Sequence, residues 1–206
     1  MTEETPAIAF QKLASGNARF RSGAVEHPDQ DAAKRMELST GQMPFALIFG
    51  CADSRVAAEI IFDQGLGDLF VVRTAGHIID FGVLGSIEFG VELLQIPLIV
   101  ILGHDSCGAV TATLESAATN QMPGGYIRDI VERVMPSALA ARAQSANGKL
   151  EVDEVVAVHV METAKLLAER SQVVARAIDE GRLAIVGATY KLHDGEIHLE
   201  GSIGEI

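Results

Sequence analysis

Positive charge is scarce in this chain. Its 206 residues hold 16 Lys and Arg against 28 Asp and Glu, for a formal net charge of −12. Nucleic acids and anionic membrane surfaces select clustered Lys and Arg, so neither is expected as a partner. Long apolar runs are missing too: the longest span about seven residues, against the ~20 that a membrane-crossing helix requires. The opening Met1-Thr2-Glu3-Glu4-Thr5-Pro6 is acidic and lacks the basic and apolar regions of a signal peptide. These absences predict a soluble cytoplasmic protein. No repeat, low-complexity tract or linker interrupts the chain. Cysteine is limited to two residues. In a cytosolic setting, two thiols placed beside His, Asp and Arg favour metal binding or reactivity over a disulfide.

What is present suffices for a core. Apolar residues make up 48% of the chain, and a fold of this size buries roughly 70% of its unfolded surface without staples. Helical spacing over 5–22, stopped by Gly23, predicts an N-terminal arm that packs on a partner subunit or caps its own domain. Strand and helix patterns then alternate. Strands are expected at Phe45–Phe49, Leu69–Arg73, Leu98–Leu102 and Leu183–Tyr190. Helices are expected at Val56–Gln64, Ser86–Gln95 and Ser106–Ala118, with Ser106 as N-cap, and two or three more between Tyr126 and Glu180. Asp194-Gly195 signals a turn into a short edge strand, Ile197–Leu199. The pattern predicts an α/β fold: a central, mostly parallel sheet flanked by helices, with a helical arm and an edge hairpin near the C-terminus. One domain over 1–206 is expected. It divides into an arm (1–40), a core bearing both cysteines (41–118), a helical region (119–180) and C-terminal strands (181–206).

Both cysteines stand at the ends of buried runs. Cys51-Ala52-Asp53-Ser54-Arg55 follows Pro44–Gly50, and His104-Asp105-Ser106-Cys107-Gly108 follows Pro97–Gly103. Ends of buried parallel strands are where α/β proteins place their chemistry. Cys51, His104 and Cys107 supply the three protein ligands of a catalytic zinc site with one open position. His104 and Cys107 share one short turn, and neighbouring strands lie about 4.8 Å apart, which lets Cys51 join them. Two other readings stay open on these residues: a closed structural zinc site with Asp53 as fourth donor, and two buried reduced thiols without metal.

The segments Cys51-Ala52-Asp53-Ser54-Arg55-Val56 and Gly103-His104-Asp105-Ser106-Cys107-Gly108 resemble the zinc-ligand signatures of the β-class carbonic anhydrases. The likeness extends to Gln42, Phe70-Val71-Val72-Arg73, Gly85-Ser86-Ile87-Glu88-Phe89, Ile185-Val186-Gly187, Tyr190 and Asp194-Gly195. The wording of the whole chain is similar to actinobacterial members. The resemblance implies zinc-dependent, reversible hydration of CO2 to bicarbonate and a proton, with one Zn2+ per chain on Cys51, His104 and Cys107. It implies attack by a zinc-held hydroxide that a catalytic Asp53–Arg55 pair orients. It also implies a substrate pocket drawn from Gln42, Val56, Phe70, Phe89 and Gly108 at a subunit interface, hence a homodimer or a dimer of dimers.

Two thiolates leave less positive charge on zinc than three imidazoles would, so activity is expected to favour alkaline pH. A guanidinium beside a carboxylate favours its ionised form, and an ionised Asp53 can only accept a hydrogen bond. In some members the matching Asp moves onto zinc and closes the site at lower pH, and such a closed form is expected here. In some members a noncatalytic bicarbonate pocket stabilises that form. Its tryptophan position is Ile48 in this chain, which has no Trp, although Arg73 and Tyr190 match its other two positions. Bicarbonate regulation of that kind is therefore not expected. His77 stands where the commoner wording has Asn and is expected to be an ordinary hydrogen-bonded histidine. Asp105 is a candidate partner for His104, while His27, His159, His193 and His198 have no supporting context. Competing functions on the same residues are hydrolysis of a CO2-like molecule such as carbon disulfide or carbonyl sulfide, a noncatalytic zinc protein, and thiol redox chemistry between Cys51 and Cys107.

Overall fold

The apolar runs pair into one sheet. Strands β1 (Ala46–Cys51), β2 (Leu69–Thr74), β3 (Leu98–His104), β4 (Ala184–Tyr190) and β5 (Ile197–Ile203) lie in the order β2-β1-β3-β4-β5. β1 runs parallel to β2 and β3, β3 runs parallel to β4, and β5 returns antiparallel to β4. β1, β3 and β4 are buried along their whole length. Strands covered on both faces read as continuous apolar runs, which is how these three read in the sequence. The computed structural model describes residues 4–145 and 149–206. The first three residues of the expected arm and residues 146–148 of the expected helical region lie outside the described residues. Among the described residues, no helix is long and apolar enough to cross a membrane.

Alternate strand residues feed two cores. Leu47, Phe49, Ile99 and Ile101 face α4 (Phe81–Glu92), α5 (Gly108–Thr119), α6 (Ile127–Gln144), α7 (Val152–Arg170) and α8 (Gln172–Asp179). Ile48, Leu98, Val100 and Leu102 face α1 (Pro6–Ser22) and the short α3 (Ala58–Ile61). The arm thus packs on its own chain, with Ala9 and Leu13 buried. Two strand glycines let α7 sit close to the sheet. A Cβ on Gly103 would stand 2.6 Å from Val160 Cγ2, and one on Gly187 would run into Met161 Sδ. A strand glycine marks such close approach.

The strand order creates the site. From β1 the chain crosses to β2 on one side, whereas from β3 it crosses to β4 on the other. The connections leaving β1 and β3 therefore diverge, and a crevice opens beyond the C-terminal ends of these two neighbours. Cys51 ends β1 and His104 ends β3.

Several elements differ from the sequence expectation. α4 starts five residues before Ser86, because Asp80 caps it by accepting from the Val83 N–H at 2.8 Å. Ser106 does not cap α5. Its φ of 53° is left-handed, its own N–H donates to Asp153, and Cys107 takes the cap position. β5 runs on to Ile203 through Glu200-Gly201-Ser202, a polar stretch held as strand by pairing with β4. Helix α2 (Ala32–Glu37), capped by Asp31, carries no buried residue and left no apolar pattern to read.

One buried carboxylate ties the arm to the core. Asp63, in the turn after α3, accepts from Arg19 Nε at 2.6 Å, Glu26 N–H at 3.0 Å and His27 N–H at 3.0 Å. Burial alone would push its pKa up, but the two N–H groups and the Arg19 guanidinium outweigh it and hold the carboxyl below its usual value. A depressed folded-state pKa gives stability that is full above the unfolded value, near 3.9, and lost as pH falls through the folded value. Asp63→Asn keeps the size and tolerates the left-handed φ of 45°. It is expected to cost about 2 kcal/mol in urea denaturation at pH 7. That deficit should shrink below about pH 4, and an equal deficit at pH 7 and pH 3 would contradict the assignment.

Candidate metal centre

Three donors converge in the crevice. The ligand atoms of Cys51, His104 and Cys107 lie within 4.8 Å of one another, and all three residues are buried. His104 Nδ1 stands 2.8 Å from the backbone carbonyl of Asp105. A carbonyl only accepts, so Nδ1 carries the ring proton in the neutral imidazole and Nε2 presents its lone pair. Nε2 is buried with no hydrogen-bond partner among the described residues, and the nearest carboxylate oxygen, Asp53 Oδ2, is 3.9 Å away. An orphaned ring nitrogen in the tautomer that a metal requires, beside two sulfurs, is what a cation would satisfy.

The electrostatics agree. The neighbouring Cys107 sulfur pulls the Cys51 thiol well down and Cys51 in turn pushes Cys107 up, so the pair gives up one proton more readily than two. Burial pushes the His104 pKa down, but the Cys51 sulfur, the Asp105 carbonyl and Asp53 outweigh it and raise it. The pocket thus favours positive charge at its centre. Two sulfurs and one imidazole are a donor set that fits Zn2+.

Asp53 and Arg55 stand at the rim. Arg55 Nε donates to Asp53 Oδ1 at 2.9 Å and Nη2 donates to Oδ2 at 2.7 Å, a two-pronged contact, while the Arg55 N–H also donates to Oδ1 at 2.9 Å. The Arg55 side chain is the leading cause that holds the Asp53 carboxyl far below the usual range. Asp53 is therefore turned toward Arg55. Arg73 was not foreseen in the role it takes. Its Nε donates to the Cys51 carbonyl at 2.8 Å and its Nη2 to the Asp53 carbonyl at 2.6 Å, clamping the backbone that carries both residues.

The remaining candidates are spread more widely. Val56 is buried on the α1 side of the sheet, one turn past Asp53. Gly108 opens α5 with free space where a Cβ would be. Phe70 and Phe89 stack on each other, ring centroids 6.2 Å apart, across β2 and α4. Phe70 pairs in register with Leu47, near the start of β1, whereas Cys51 pairs with Thr74. Gln42 is exposed and enters β1 from the end opposite Cys51. Ile48 is buried beside Val71 and Val100, and Tyr190 lies opposite His104 in the β3–β4 register. The Asp105 partner of His104 is its carbonyl, while its carboxylate accepts from the Leu192 N–H. His77 departs from expectation: it is fully buried, and neither ring nitrogen has a hydrogen-bond partner among the described residues.

Fold and site together define a doubly covered α/β protein with a Cys-His-Cys cluster of metal-site geometry at the divergence of two parallel strands. Comparison with known proteins narrows that class. The family profile described as carbonic anhydrase matches residues 46–197. Carbonic anhydrase 2 of Mycobacterium tuberculosis is 55% identical over 206 residues, covering 100% of this chain and 98% of that protein. The structure of the β-carbonic anhydrase CcaA superposes with a TM-score of 0.74 at 23% identity, covering 96% of this chain and 92% of that one. A tetrameric β-carbonic anhydrase of Sordaria macrospora gives 0.72 at 22% identity, over 93% and 96%. This chain belongs to the carbonic anhydrase family, in its β class, and is an enzyme of that activity.

Proposed function

We propose that the chain catalyses reversible hydration of CO2 to bicarbonate and a proton, with Zn2+ held by Cys51, His104 and Cys107 and the nucleophile oriented by Asp53. A zinc ion held by these donors would supply the Lewis acidity that brings the pKa of water from 15.7 down toward neutrality, to about 7 in the most acidic such sites. The observation that carries the reading is the Arg55 fork on Asp53 beside the free Nε2 of His104.

An Asp53 carboxyl held so low stays ionised across physiological pH and cannot serve as the base. It can only accept a hydrogen bond, so the nucleophilic oxygen next to it must keep one proton and point that proton at Asp53. A lone pair is thereby aimed at the carbon of CO2. The new C–O bond gives bicarbonate, and the proton surrendered by water passes to solvent. Arg55 fixes both carboxylate oxygens at once, which a lysine ammonium cannot do in the same geometry. Asp53 is also the donor that a closed form would need, and the Arg55 fork is what holds it back.

The substrate pocket is read as shared between two chains. Gln42, Phe70 and Phe89 lie away from the cluster in one chain, on or near the open edge formed by β2 and α4. That edge is apolar and uncovered: Phe81 is 94% exposed, Leu93 66% and Phe89 45%. A homodimer across this edge would bury these rings and bring Gln42 of one copy toward the cluster of the other, and pairs of dimers would give a tetramer.

In stopped-flow CO2 hydration at pH 8–9, Asp53→Ala is expected to lose on the order of 10²-fold in kcat/KM, the scale of a misoriented reacting group, with its zinc retained. Wild-type rates in that variant would overturn the orienting role. In sedimentation, the wild type should run at a multiple of its 21.9 kDa chain mass. The double variant Phe81→Glu/Leu93→Glu should fall to a single chain and lose activity. A wild type that sediments as one chain would contradict the shared pocket.

A further inference from the structure

His159 lies in the middle of α7, 4% exposed, and no step above uses it. Both of its ring nitrogens are engaged. Nδ1 is 2.8 Å from Ser137 Oγ on α6, and Nε2 is 2.9 Å from the carbonyl of Gly76. A carbonyl only accepts, so Nε2 carries the proton. Burial lowers the His159 pKa and keeps the ring neutral, so Nδ1 accepts from the Ser137 hydroxyl. The bonding direction is thus settled at both ends of the ring.

The residue held by His159 touches the metal cluster. Gly76 donates its own N–H to Cys51 Sγ at 3.4 Å, within reach for a sulfur acceptor. It does so from a left-handed backbone, φ 66°, in the turn Ala75–His77, and a Cβ there would stand 2.7 Å from Ala109 Cβ. Only glycine fits both the angle and the space. Nothing in the sheet ladder fixes this turn, because β2 ends at Thr74. The Thr74 hydroxyl closes it locally by donating to the Ile78 carbonyl at 3.1 Å, and its long-range anchor is the His159 bond, made across 83 residues of sequence. The neighbouring His77 closes the turn from inside, its ring 4.5 Å from that of His159 and edge-on to Phe49 at 6.4 Å.

We propose that Ser137 and His159 are positioning residues of the metal site: Ser137 orients the imidazole, the imidazole holds the Gly76 turn, and the turn keeps the Gly76 N–H on the Cys51 sulfur. This rests on the reading of Cys51 as a metal ligand. The hydrogen bond orients the sulfur toward the cluster and withdraws charge from it, as outer partners of metal ligands do. α7 is suited to carry the anchor because Gly103 and Gly187 seat it tightly against β3 and β4.

The test compares four full-length proteins loaded with zinc: wild type, His159→Gln, His159→Leu and Ser137→Ala. The Gln amide nitrogen can replace Nε2–H, whereas Leu keeps the bulk without a donor. Zinc affinity is read by chelator competition, and the sulfur-to-metal charge-transfer band is read after exchange into Co2+. His159→Leu is expected to lose about tenfold or more in zinc affinity and to move the band to lower energy, since a sulfur that loses a hydrogen bond is more easily oxidised. His159→Gln should restore both, and Ser137→Ala should shift both in the His159→Leu direction. Wild-type affinity and band position in His159→Leu would overturn the proposal. So would equal losses in the Gln and Leu variants with none in Ser137→Ala. If His159→Leu does not fold, an unshifted Ser137→Ala overturns it. A wild type that binds no zinc would instead overturn the ligand reading of Cys51, and the anchoring role with it.

Discussion

The site depends on one backbone register. β1 and β3 lie side by side and parallel, with Gly50 opposite Leu102, so the next residues out of the ladder carry Cys51 and, one step on, His104. A slip of one residue would turn every side chain of β1 to the other face, sending Cys51 into the α1 core. That slip is blocked by packing, since Leu47 and Phe49 fill one core while Ala46 and Ile48 fill the other. The hydrophobic effect that seats these residues therefore also determines whether three donors meet. Catalysis adds no separate scaffold.

From that register outward, the charge logic is layered. The innermost groups are two sulfurs and an imidazole, which favour a cation. Around them, hydrogen bonds set direction: the Asp105 carbonyl chooses the His104 tautomer, Arg73 holds the carbonyls of Cys51 and Asp53, and Gly76 donates to the Cys51 sulfur. Asp53 and Arg55 form the outer, solvent-facing pair, where a bidentate geometry matters more than the modest strength of an exposed ion pair.

Much of this was legible in the sequence, for a physical reason. Buried parallel strands must be apolar throughout, so β1, β3 and β4 announce themselves, and the chemistry-bearing residues follow them directly in Cys51–Arg55 and His104–Gly108. The helices α6, α7 and α8 fill the Ala- and Glu-rich stretch where two or three were expected. What was not legible is contact at long separation. His159 had no local context, because its partners Ser137 and Gly76 lie 22 and 83 residues away. Arg73 read as the end of a strand and as a match to one position of the family's bicarbonate pocket, since nothing local says that its guanidinium turns back onto β1. Ser106 looked like a helix cap by type, yet the turn that delivers Cys107 puts it in a left-handed conformation that no cap pattern encodes. The polar end of β5 was hidden because pairing with β4, rather than its own residues, makes it a strand.

The central claim is that the cluster of Cys51, His104 and Cys107 is a zinc site with one open position. X-ray absorption at the zinc edge of the purified enzyme tests it most directly. The account predicts about one zinc per chain with two sulfurs near ~2.3 Å, one nitrogen near ~2.0–2.1 Å and one further light ligand. Protein that purifies without zinc and with Cys51 and Cys107 joined in a disulfide would contradict it.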